Sequence, residues 1–445
     1  MNDAALHAAR VFMGDSLGFH IIFVAFGLTL PILVSWMEWT GILKNKPELI
    51  NLAKFWSKIM ALLVITGVIS GTIIALQMSL VWPGILKFGG EVIGLPFMFE
   101  TYAFLIEAVF LALYMTTWNN KKVKPKLHAV FGLFVVVGST LSAYAITSVN
   151  GWMNYPTGFE LVNGKLVNIS VASAMFSRTA LVEFIHSMPA YYFAVCLTIA
   201  GIYSFKVLKT KKKDRLAKKH ALDWFIIKRL MYLACALLVA IVITADITGK
   251  YLAKYEPVKL AAIELVQESG TNMPFILGGV ATADGRIMAP YVEIPGLLSI
   301  LAGNSLNTKV IGLNEFPLNE RPPLYIHTIF DIKLLLVGLV STIVISFVII
   351  ARFFKRKLSS SALLFSIGIS GLIAFTIIEL GWMLTEIGRQ PWAVRGYIKT
   401  AEAFTKTNDI TTFGYLFPLA YLALFILTIL AVIKIVQFEN KKKGQ

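Results

Sequence analysis

Residues 334–350 read LLLVGLVSTIVISFVII, a run of seventeen residues with no charged side chain. A helix needs about twenty mostly apolar residues to cross the hydrocarbon core of a bilayer, where its backbone polar groups must be satisfied within the helix. With its immediate neighbours, this stretch predicts a transmembrane helix over residues 333–351.

The same criterion finds eight further runs. The chain is 57% hydrophobic with a mean hydropathy of +0.73, whereas a soluble domain of this length would carry more polar residues. We therefore expect an all-α integral membrane protein, with a single membrane domain over residues 1–445 and about nine transmembrane helices in bundles. The first run is long enough to span and continues into the fold, so no cleavable signal peptide is expected. The further runs lie near residues 17–38, 59–81, 97–118, 127–148, 180–205, 229–246, 362–385 and 413–434.

The formal net charge is +16, which could indicate a nucleic-acid partner. The basic residues stand instead in short runs between apolar segments, the arrangement that fixes the orientation of a membrane protein. The connections after the first, third, fifth and seventh predicted helices, with the C-terminal tail, hold 26 of the 41 lysines and arginines. This bias predicts an N-terminus outside, a C-terminus in the cytoplasm and no nucleic-acid partner.

Two connections on the predicted outer side, residues 247–332 and 150–179, are too long to be simple turns. Long loops in compact proteins are more often functional than idle, although a flexible solvent loop is the alternative. The two cysteines, Cys196 and Cys235, lie in apolar stretches, and no CxxC or CxxCH motif is present. A disulfide framework, a thiolate metal site and covalent haem attachment are therefore unsupported.

Ionisable residues lie inside several predicted spans, where they are energetically costly and need a physical reason. One explanation is that each histidine hydrogen-bonds between helices and each glutamate reaches toward water from a helix end; we adopt it for Glu183 and His128. A carboxylate in mid-span reaches water less easily, so a metal, a haem iron or a proton path is the alternative. The other residues concerned are His20, Glu100, Glu107, His186 and Glu379.

Glu100 and Glu107 are seven residues apart and therefore share one face of a helix. Imidazole is the usual axial ligand of haem iron, and haem fits between the helices of a bundle. The residue types alone leave open a multi-haem electron-transfer protein and a proton- or cation-coupled transporter without haem. A haem-copper oxidase is disfavoured, because copper needs a cluster of histidines and the chain has no His-His pair.

An ordered series of motifs along nearly the whole chain resembles subunit I of the cytochrome bd family of quinol oxidases. Two of the motifs, NGWMNYP and ELGWMLTEIGRQPW, are highly specific, and KLAAIE is moderately so. In chain order the series is Arg10, GFH ending at His20, GLPFMFE and IE with Glu100 and Glu107, GSTLSAY with Ser142, NGWMNYP (Asn150–Pro156), FIHS with His186, KLAAIE (Lys259–Glu264) and ELGWMLTEIGRQPW (Glu379–Trp392).

The resemblance implies two b haems and a third haem, d or b, at the oxygen site. His186 matches the ligand of the low-spin b haem. His20 and Glu379 match the axial ligands of the other two haems, and which residue serves which haem is left open. Lys259 and Glu264 match the quinol-binding region of the outer loop, residues 247–332. Positions linked to proton delivery or to a haem pocket are Glu100, Glu107, Ser142 and Asn150, and Arg10 is carried over as a cofactor-binding residue.

The same resemblance implies an electrogenic quinol:oxygen oxidoreductase in the cell membrane of a prokaryote. Quinol is expected to be oxidised on the outer side and to release protons there, while the reduction of oxygen to water takes protons from the cytoplasm. The implied partners are a second multi-span subunit, a small single-span subunit and membrane lipid. Menaquinol and ubiquinol both stay open as the substrate.

One position departs from the family pattern. The family places a methionine as sixth ligand of the low-spin haem, in a motif like F-[RD]-I-M, whereas here residues 330–332 are followed by Lys333. A neutral lysine amine can ligate iron. Alternatively, Lys333 reaches toward the surface, and the haem is five-coordinate or uses another ligand such as His327. A weakened or absent low-spin site is the third alternative, and a haem-binding relative without oxidase activity would follow from it.

Overall fold

The computed structural model describes residues 3–282, 287–405 and 410–443, most of which lie in helices. The helices are α1 (Asp3–Leu43), α2 (Pro47–Leu80), α3 (Pro83–Thr117), α4 (Pro125–Asn154), α5 (Val171–Met175), α6 (Arg178–Leu208), α7 (Ala221–Tyr255), α8 (Pro257–Ile263), α9 (Leu297–Gly303), α10 (Ile326–Phe353), α11 (Ser361–Arg389), α12 (Thr400–Ala403) and α13 (Ile410–Lys443). The strands are β1 (Glu160–Val162), β2 (Lys165–Val167), β3 (Phe275–Ala281), β4 (Ile287–Ile294), β5 (Trp392–Val394) and β6 (Ile398–Lys399), paired as three antiparallel hairpins.

Within these ranges, nine helices are long and apolar enough to cross a membrane, which confirms the predicted fold class. They are α1, α2, α3, α4, α6, α7, α10, α11 and α13. Several extend well beyond the apolar runs: α3 begins at Pro83 and α7 ends at Tyr255. A helix keeps its internal hydrogen bonds as it enters the polar headgroup layer, so hydropathy marks the hydrocarbon crossing and not the helix ends. The orientation of the termini stays a prediction.

Proline marks several helix starts. Four helices begin at Pro47, Pro83, Pro125 and Pro257, because proline fixes a helical φ and its missing N–H is not needed in the first turn. Prolines also lie inside α1, α3, α6 and α13, which membrane helices tolerate where neighbouring groups satisfy the freed carbonyl.

The chain divides into two compact units, and the expected single membrane domain stays a prediction. The first unit comprises residues 1–152, 157–180 and 401–445. Its helices α1, α2 and α13 meet at a shared hydroxyl, since Gln77 Nε2 donates to Ser16 Oγ at 2.5 Å and the Tyr421 hydroxyl donates to the same atom at 2.8 Å. The C-terminal helix is therefore part of the first unit although it is last in sequence.

The second unit comprises residues 153–156 and 181–400. Its helices α6 and α11 pack closely, because a Cβ on Gly201 would lie only 2.8 Å from the backbone oxygen of Gly368. Small residues allow such close approach between membrane helices. Further along the same pair, Trp382 Nε1 donates to the Tyr191 hydroxyl at 2.8 Å. These contacts hold the two helices that carry several of the predicted site residues.

The outer connection predicted over residues 247–332 is shorter and more ordered than the sequence suggests. Its first residues continue α7 to Tyr255, and its last belong to α10, which begins at Ile326. Between them lie α8, the β3–β4 hairpin and α9, which share a hydrophobic core that includes Ile263, Leu298 and Leu313. Residues 283–286 of the predicted loop lie outside the described residues. The connection is thus a folded layer attached to the second unit.

Candidate functional site

His20 lies on α1 in the first unit and faces α2. Its Nδ1 is 2.9 Å from the hydroxyl of Ser70. The ring also lies against Gly71, where a Cβ would come within 3.0 Å of the imidazole Cε1. The Ser70 contact leaves Nε2 as the nitrogen that could ligate a metal, since the partner of one ring nitrogen sets the role of the other.

Glu100 and Glu107 lie two turns apart on α3, with α4 packed against them. Glu107 is 7% exposed, and the hydroxyl of Ser142 is 3.4 Å from Glu100 Oε1. The close approach depends on Gly138, where a Cβ would lie 2.7 Å from the backbone nitrogen of Glu107. Three of the predicted residues therefore meet on one face of α3, and the glycine of the GSTLSAY motif is the residue that allows it.

His186 lies on α6 in the second unit. Its Nδ1 is 3.1 Å from the Thr244 hydroxyl on α7, so Nε2 is again the nitrogen that could ligate a metal. The two predicted histidine ligands thus have the same local arrangement, a hydroxyl at Nδ1 from the neighbouring helix. The sequence did not indicate either hydroxyl partner.

Lys333 on α10 reaches α11 at Gly381. A Cβ on Gly381 would lie 3.4 Å from Lys333 Nζ. The absence of a side chain at Gly381 therefore leaves space for the amine against α11. Two residues earlier on α11, Glu379 has its Oε1 buried without a hydrogen-bond partner. The amine therefore points at the neighbouring helix rather than along α10 toward a surface, and an unsatisfied carboxylate oxygen lies on the same helix.

Glu386 and Arg389, at the end of α11, form a second candidate pair that the sequence analysis passed over. Arg389 Nη2 donates to Glu386 Oε2 at 2.5 Å, while its Nε and Nη1 atoms are buried without a hydrogen-bond partner. A buried guanidinium with two unfilled donors suits an anionic group such as a carboxylate. Both residues lie within the ELGWMLTEIGRQPW motif, and membership of this specific motif was the signal by which the sequence could have indicated them.

Lys259 lies in α8 and is buried. Its Nζ forms an ion pair with Glu256 and donates to Asn154 Oδ1 at 2.9 Å. Gly388 makes room for it, since a Cβ there would lie 2.8 Å from Lys259 Cγ. Burial lowers the pKa of the Lys259 ammonium, and the Glu256 carboxylate partly offsets that effect. Lys259 is therefore a fixed cation with defined partners and not a mobile surface lysine.

The network around Lys259 consists of residues that the sequence analysis did not assign to it. Asn154 Nδ2 donates to Glu183 Oε1 at 3.0 Å, and Arg395 Nη2 lies 3.5 Å from Glu256 Oε2. The interpretation of Glu183 as an end residue reaching toward water is wrong, because its Oε2 is buried without a hydrogen-bond partner. Asn154 is the second asparagine of the NGWMNYP motif and Glu183 directly precedes FIHS, so position in or beside specific motifs was the missed signal.

Glu264, at the end of α8, has a different environment from Lys259. It is 3% exposed and its Oε2 has no hydrogen-bond partner. Burial raises the pKa of this carboxyl well above its usual value, and the charge of Asp331 raises it further. Nearby, His327 Nδ1 lies 2.6 Å from Ile263 O and Nε2 lies 3.0 Å from Gly278 O. Since both ring nitrogens contact carbonyl oxygens, neither is left for iron, which argues against His327 as an alternative ligand.

The remaining predicted residues lie on first-unit helices. Arg10 is exposed on α1, and Asn150 is half-buried near the end of α4. His128 has Nδ1 2.6 Å from Glu38 Oε1 and Nε2 3.0 Å from Tyr114 O, so it is hydrogen-bonded between helices. The roles of Arg10 and Asn150 stay predictions.

The residues present fit haem better than a compact metal-ion site. In the described ranges, no group of three or more His, Cys, Asp or Glu side chains could hold a metal ion. Haem needs only one or two protein ligands, because the macrocycle supplies the in-plane nitrogens. The hydroxyl-oriented His20 and His186, the unsatisfied Glu379 oxygen and the unfilled donors of Arg389 match such a requirement.

Comparisons with known proteins cover nearly the whole chain. The family model described as cytochrome bd terminal oxidase subunit I matches residues 8–440. A Bacillus subtilis (strain 168) protein named "Putative cytochrome bd menaquinol oxidase subunit I" is 31% identical over 432 residues, 95% of this chain and 94% of that protein. A second protein of the same organism, cytochrome bd ubiquinol oxidase subunit 1, is 25% identical over 98% of this chain and 93% of its own length.

The comparison with solved structures agrees with the sequence comparisons. The structure of the bd oxidase from Geobacillus thermodenitrificans matches with a TM-score of 0.90 and 35% sequence identity, covering 97% of this chain and 98% of that one. The sequence and fold comparisons thus point to the same family over nearly the whole chain. The chain belongs to the cytochrome bd terminal oxidase subunit I family.

Proposed function

We propose that this chain is the haem-bearing subunit of a terminal quinol oxidase, which passes electrons from quinol to oxygen and forms water. The observation that carries the proposal is the match over 97% of the chain, at a TM-score of 0.90, to a bd oxidase. The chain is a multi-pass protein of the bacterial cell membrane. It works with a second oxidase subunit, and we infer that this partner is multi-span and that a small single-span subunit is a further partner.

The quinol site that we propose is centred on α8. Lys259 is fixed by Glu256 and Asn154, so its ammonium can offer a stationary hydrogen-bond donor to a quinol oxygen. Glu264 holds a buried carboxyl with one unpartnered oxygen, which suits the exchange of a proton with a bound hydroxyl. The names of the relatives include menaquinol and ubiquinol oxidases, and we leave the choice of quinol open.

Three haems are proposed as cofactors: two b haems, and a haem d or third b haem at the oxygen site. When bound, haem supplies the one-electron and oxygen chemistry that no side chain of this protein provides. His186 is proposed to hold the low-spin haem, and His20 one of the other two. Their Nδ1 contacts with Thr244 and Ser70 orient each ring and set the tautomer.

Lys333 is proposed as the second ligand of the low-spin haem. Its amine is held against α11 at Gly381, which supports this role over a surface-directed one. The test is Lys333→Met with the low-spin haem observed by near-infrared magnetic circular dichroism. Replacing nitrogen by sulfur should shift the charge-transfer band; an unmoved band would assign Lys333 no ligand role.

The carboxylate ligand of the remaining haem is proposed to come from α11. Glu379 is the residue that the resemblance indicated, and its buried, unpartnered Oε1 supports it. Glu386 is the alternative, because it is paired with an arginine that has donors to spare. Comparing Glu379→Gln with Glu386→Gln by haem content decides between them, since the variant that loses one haem identifies the ligand.

Proton delivery is proposed to use the face of α3. Glu100, Glu107 and Ser142 form a short polar row inside the first unit, and carboxylates within a span are typical of proton relays. With Asn150 further along α4, this row is proposed to carry protons taken from the cytoplasm to the oxygen site. The N-terminus is then outside, as the loop charges indicate.

The test of the whole proposal is a reduced-minus-oxidised absorption spectrum of the purified complex with pyridine haemochrome quantification, alongside quinol-dependent oxygen uptake. Three haems and quinol-dependent uptake are expected, and a chlorin band in the red would identify haem d. Haem without uptake would indicate a relative that has lost oxidase activity. An absence of haem would instead favour a proton- or cation-coupled transporter, in which the buried carboxylates carry the ions.

A further inference from the structure

One buried arginine joins two connections of the second unit, residues 209–220 and 354–360. Arg215 Nη1 donates to Ser359 O and to Ser361 Oγ, both at 2.8 Å. These bonds cross from the α6–α7 connection to the α10–α11 connection. The two connections therefore lie at the same end of the unit and form one continuous surface.

The same arginine also orders its own connection. Arg215 Nη2 donates to Leu208 O at 3.0 Å and its Nε to Thr210 O at 3.2 Å. Trp224 Nε1 on α7 donates to the backbone oxygen of Arg215 at 2.8 Å. Every nitrogen of the guanidinium is thus bonded within the protein, so Arg215 acts as a structural clamp and the shape of the surface is set before anything binds.

The exposed cations lie on both sides of this clamp. Residues 209–219 contain six exposed lysines, and residues 352–357 contribute Arg352, Lys355, Arg356 and Lys357, all exposed. We call the surface formed by these two segments the basic platform.

Little negative charge opposes these cations. Asp223 is 2% exposed, and Lys206 Nζ at 2.7 Å and His220 Nδ1 at 2.8 Å both contact its carboxylate. Asp223 lies just outside the two segments. The acidic residue within them is Asp214, which is half-buried. The basic platform is therefore strongly cationic at the surface, while the nearby acid is turned inward.

Large apolar side chains stand among the cations. Phe353 is 71% exposed and Phe354 49%. Arg352 lies over the Phe353 ring at 5.7 Å, and Lys357 over the Phe354 ring at 4.9 Å. Cations beside exposed aromatic rings suit the boundary of a bilayer, where the ring enters the acyl region and the cation meets the phosphate. A free phosphate ion has no apolar part that could contact these aromatic rings.

We propose that the basic platform binds the headgroups of anionic phospholipids of the membrane that the chain spans. The platform lies at the ends of α6, α7, α10 and α11, which are membrane helices, so the headgroup layer is the phosphate-bearing surface within reach. Each basic residue near an anionic leaflet contributes about 1 kcal/mol of attraction, or about a fivefold change in affinity. The Arg215 bonds hold the cations of the two connections on one surface.

The test is native mass spectrometry of the purified, delipidated oxidase complex titrated with phosphatidylglycerol or with phosphatidylcholine. Lys355→Gln/Arg356→Gln/Lys357→Gln should weaken phosphatidylglycerol binding by about fivefold per removed cation and leave phosphatidylcholine binding unchanged. The matched control is Lys121→Gln/Lys122→Gln/Lys124→Gln in the α3–α4 connection of the first unit, where the same number of exposed charges is removed. An equal loss in this control would overturn the proposal, because net charge alone would then explain the binding.

A second pair of measurements tests the identity of the occupant. Phe353→Ser should weaken both lipids to the same extent, since the ring contributes apolar contact and no charge selection. Inorganic phosphate and a single-stranded oligonucleotide are then added as competitors of phosphatidylglycerol. Displacement by phosphate at concentrations equal to those of the lipid would assign the platform to free anions, and tighter binding of the oligonucleotide would assign it to nucleic acid. An unchanged thermal unfolding midpoint shows that each variant is folded.

Discussion

The Glu100–Glu107 pair of the first unit and the Lys259 network of the second unit bury ionisable side chains in opposite ways. In the first unit, Glu100 and Glu107 lie within one span, and the described partner of Glu100 is a hydroxyl at 3.4 Å. In the second, Lys259 is bonded to Glu256 and Asn154 in a layer outside the spans. A group that passes protons must change its charge easily, whereas a group that positions a ligand must not move. The difference agrees with the roles that we propose, proton transfer for Glu100 and Glu107 and quinol binding for Lys259.

The energetics of the two arrangements differ for the same reason. A carboxyl with few partners can become neutral and then loses little when it is replaced by an amide. A buried ion pair is different, because removing one partner leaves an uncompensated charge and costs about 3–5 kcal/mol. Substitutions at Glu100 or Glu107 should therefore affect turnover, and substitutions in the Lys259 network should affect stability.

The largest expected effect is at the histidine of the second unit that we assign to the low-spin haem. His186→Ala should abolish the low-spin b band in the reduced-minus-oxidised spectrum while the chain stays in the membrane, because the iron loses its imidazole ligand. The control is Thr244→Val, which removes only the orienting hydroxyl and should keep the band. A full spectrum in His186→Ala would disprove the ligand assignment.

The next effect concerns turnover in the first unit. Glu107→Gln should slow quinol-dependent oxygen uptake by about 100-fold, the usual size for the loss of a proton-transfer group, with haem content retained. Glu91→Gln on the same helix is the matched control, since Glu91 is exposed, and it should have normal uptake. Normal uptake in Glu107→Gln as well would contradict a proton-transfer role and indicate that Glu107 is structural.

The ion-pair network of the second unit should respond through stability. Lys259→Met leaves Glu256 buried beside Arg395 at 3.5 Å and should destabilise the complex by about 3–5 kcal/mol. Lys250→Met breaks the exposed Lys250–Asp246 pair and should cost about 1 kcal/mol or less. The measurement is the midpoint of thermal unfolding in detergent, and equal shifts for the two variants would contradict the description of Lys259 as part of a buried ion-pair network.

The smallest effect is a pH dependence at Glu264. Its carboxyl has a pKa raised well above the usual 4.5 by burial and then by Asp331. An acid with a higher pKa in the folded state binds more protons when folded, so stability falls as pH rises from about 4.5 to the raised value and is flat beyond it. Glu264→Gln should remove that part of the slope in unfolding midpoint against pH; an identical slope would show that Glu264 titrates normally.

Several features could be predicted because they depend on local composition. The predicted spans follow from uninterrupted apolar runs such as residues 334–350, and the part of the chain that the structure describes contains nine helices that fit them. The pairing of Glu100 with Glu107 follows from a seven-residue spacing on a helix. The glycine that brings α4 onto this face, Gly138, could not be assigned, because a close approach between helices depends on a partner that is distant in sequence.

The network around Lys259 shows the opposite case. Lys259, Asn154 and Glu183 are separated by many residues, and no periodicity relates them. The sequence suggests that Glu183 reaches toward water, which is wrong, because its burial depends on how the helix ends meet. Motif membership pointed to the neighbourhood of these residues but not to their contacts.

By itself the sequence determined the membrane fold class and about nine spans, which match the nine long apolar helices among the described residues. It could do so because the cost of placing polar groups in hydrocarbon acts on each segment separately. Through its ordered motifs it also indicated the family. The tertiary structure alone decided which hydroxyl orients His20 and His186, which amide links Lys259 to Glu183, and that Arg215 joins two connections into one surface. Those contacts depend on distances between segments remote in sequence, which only packing sets.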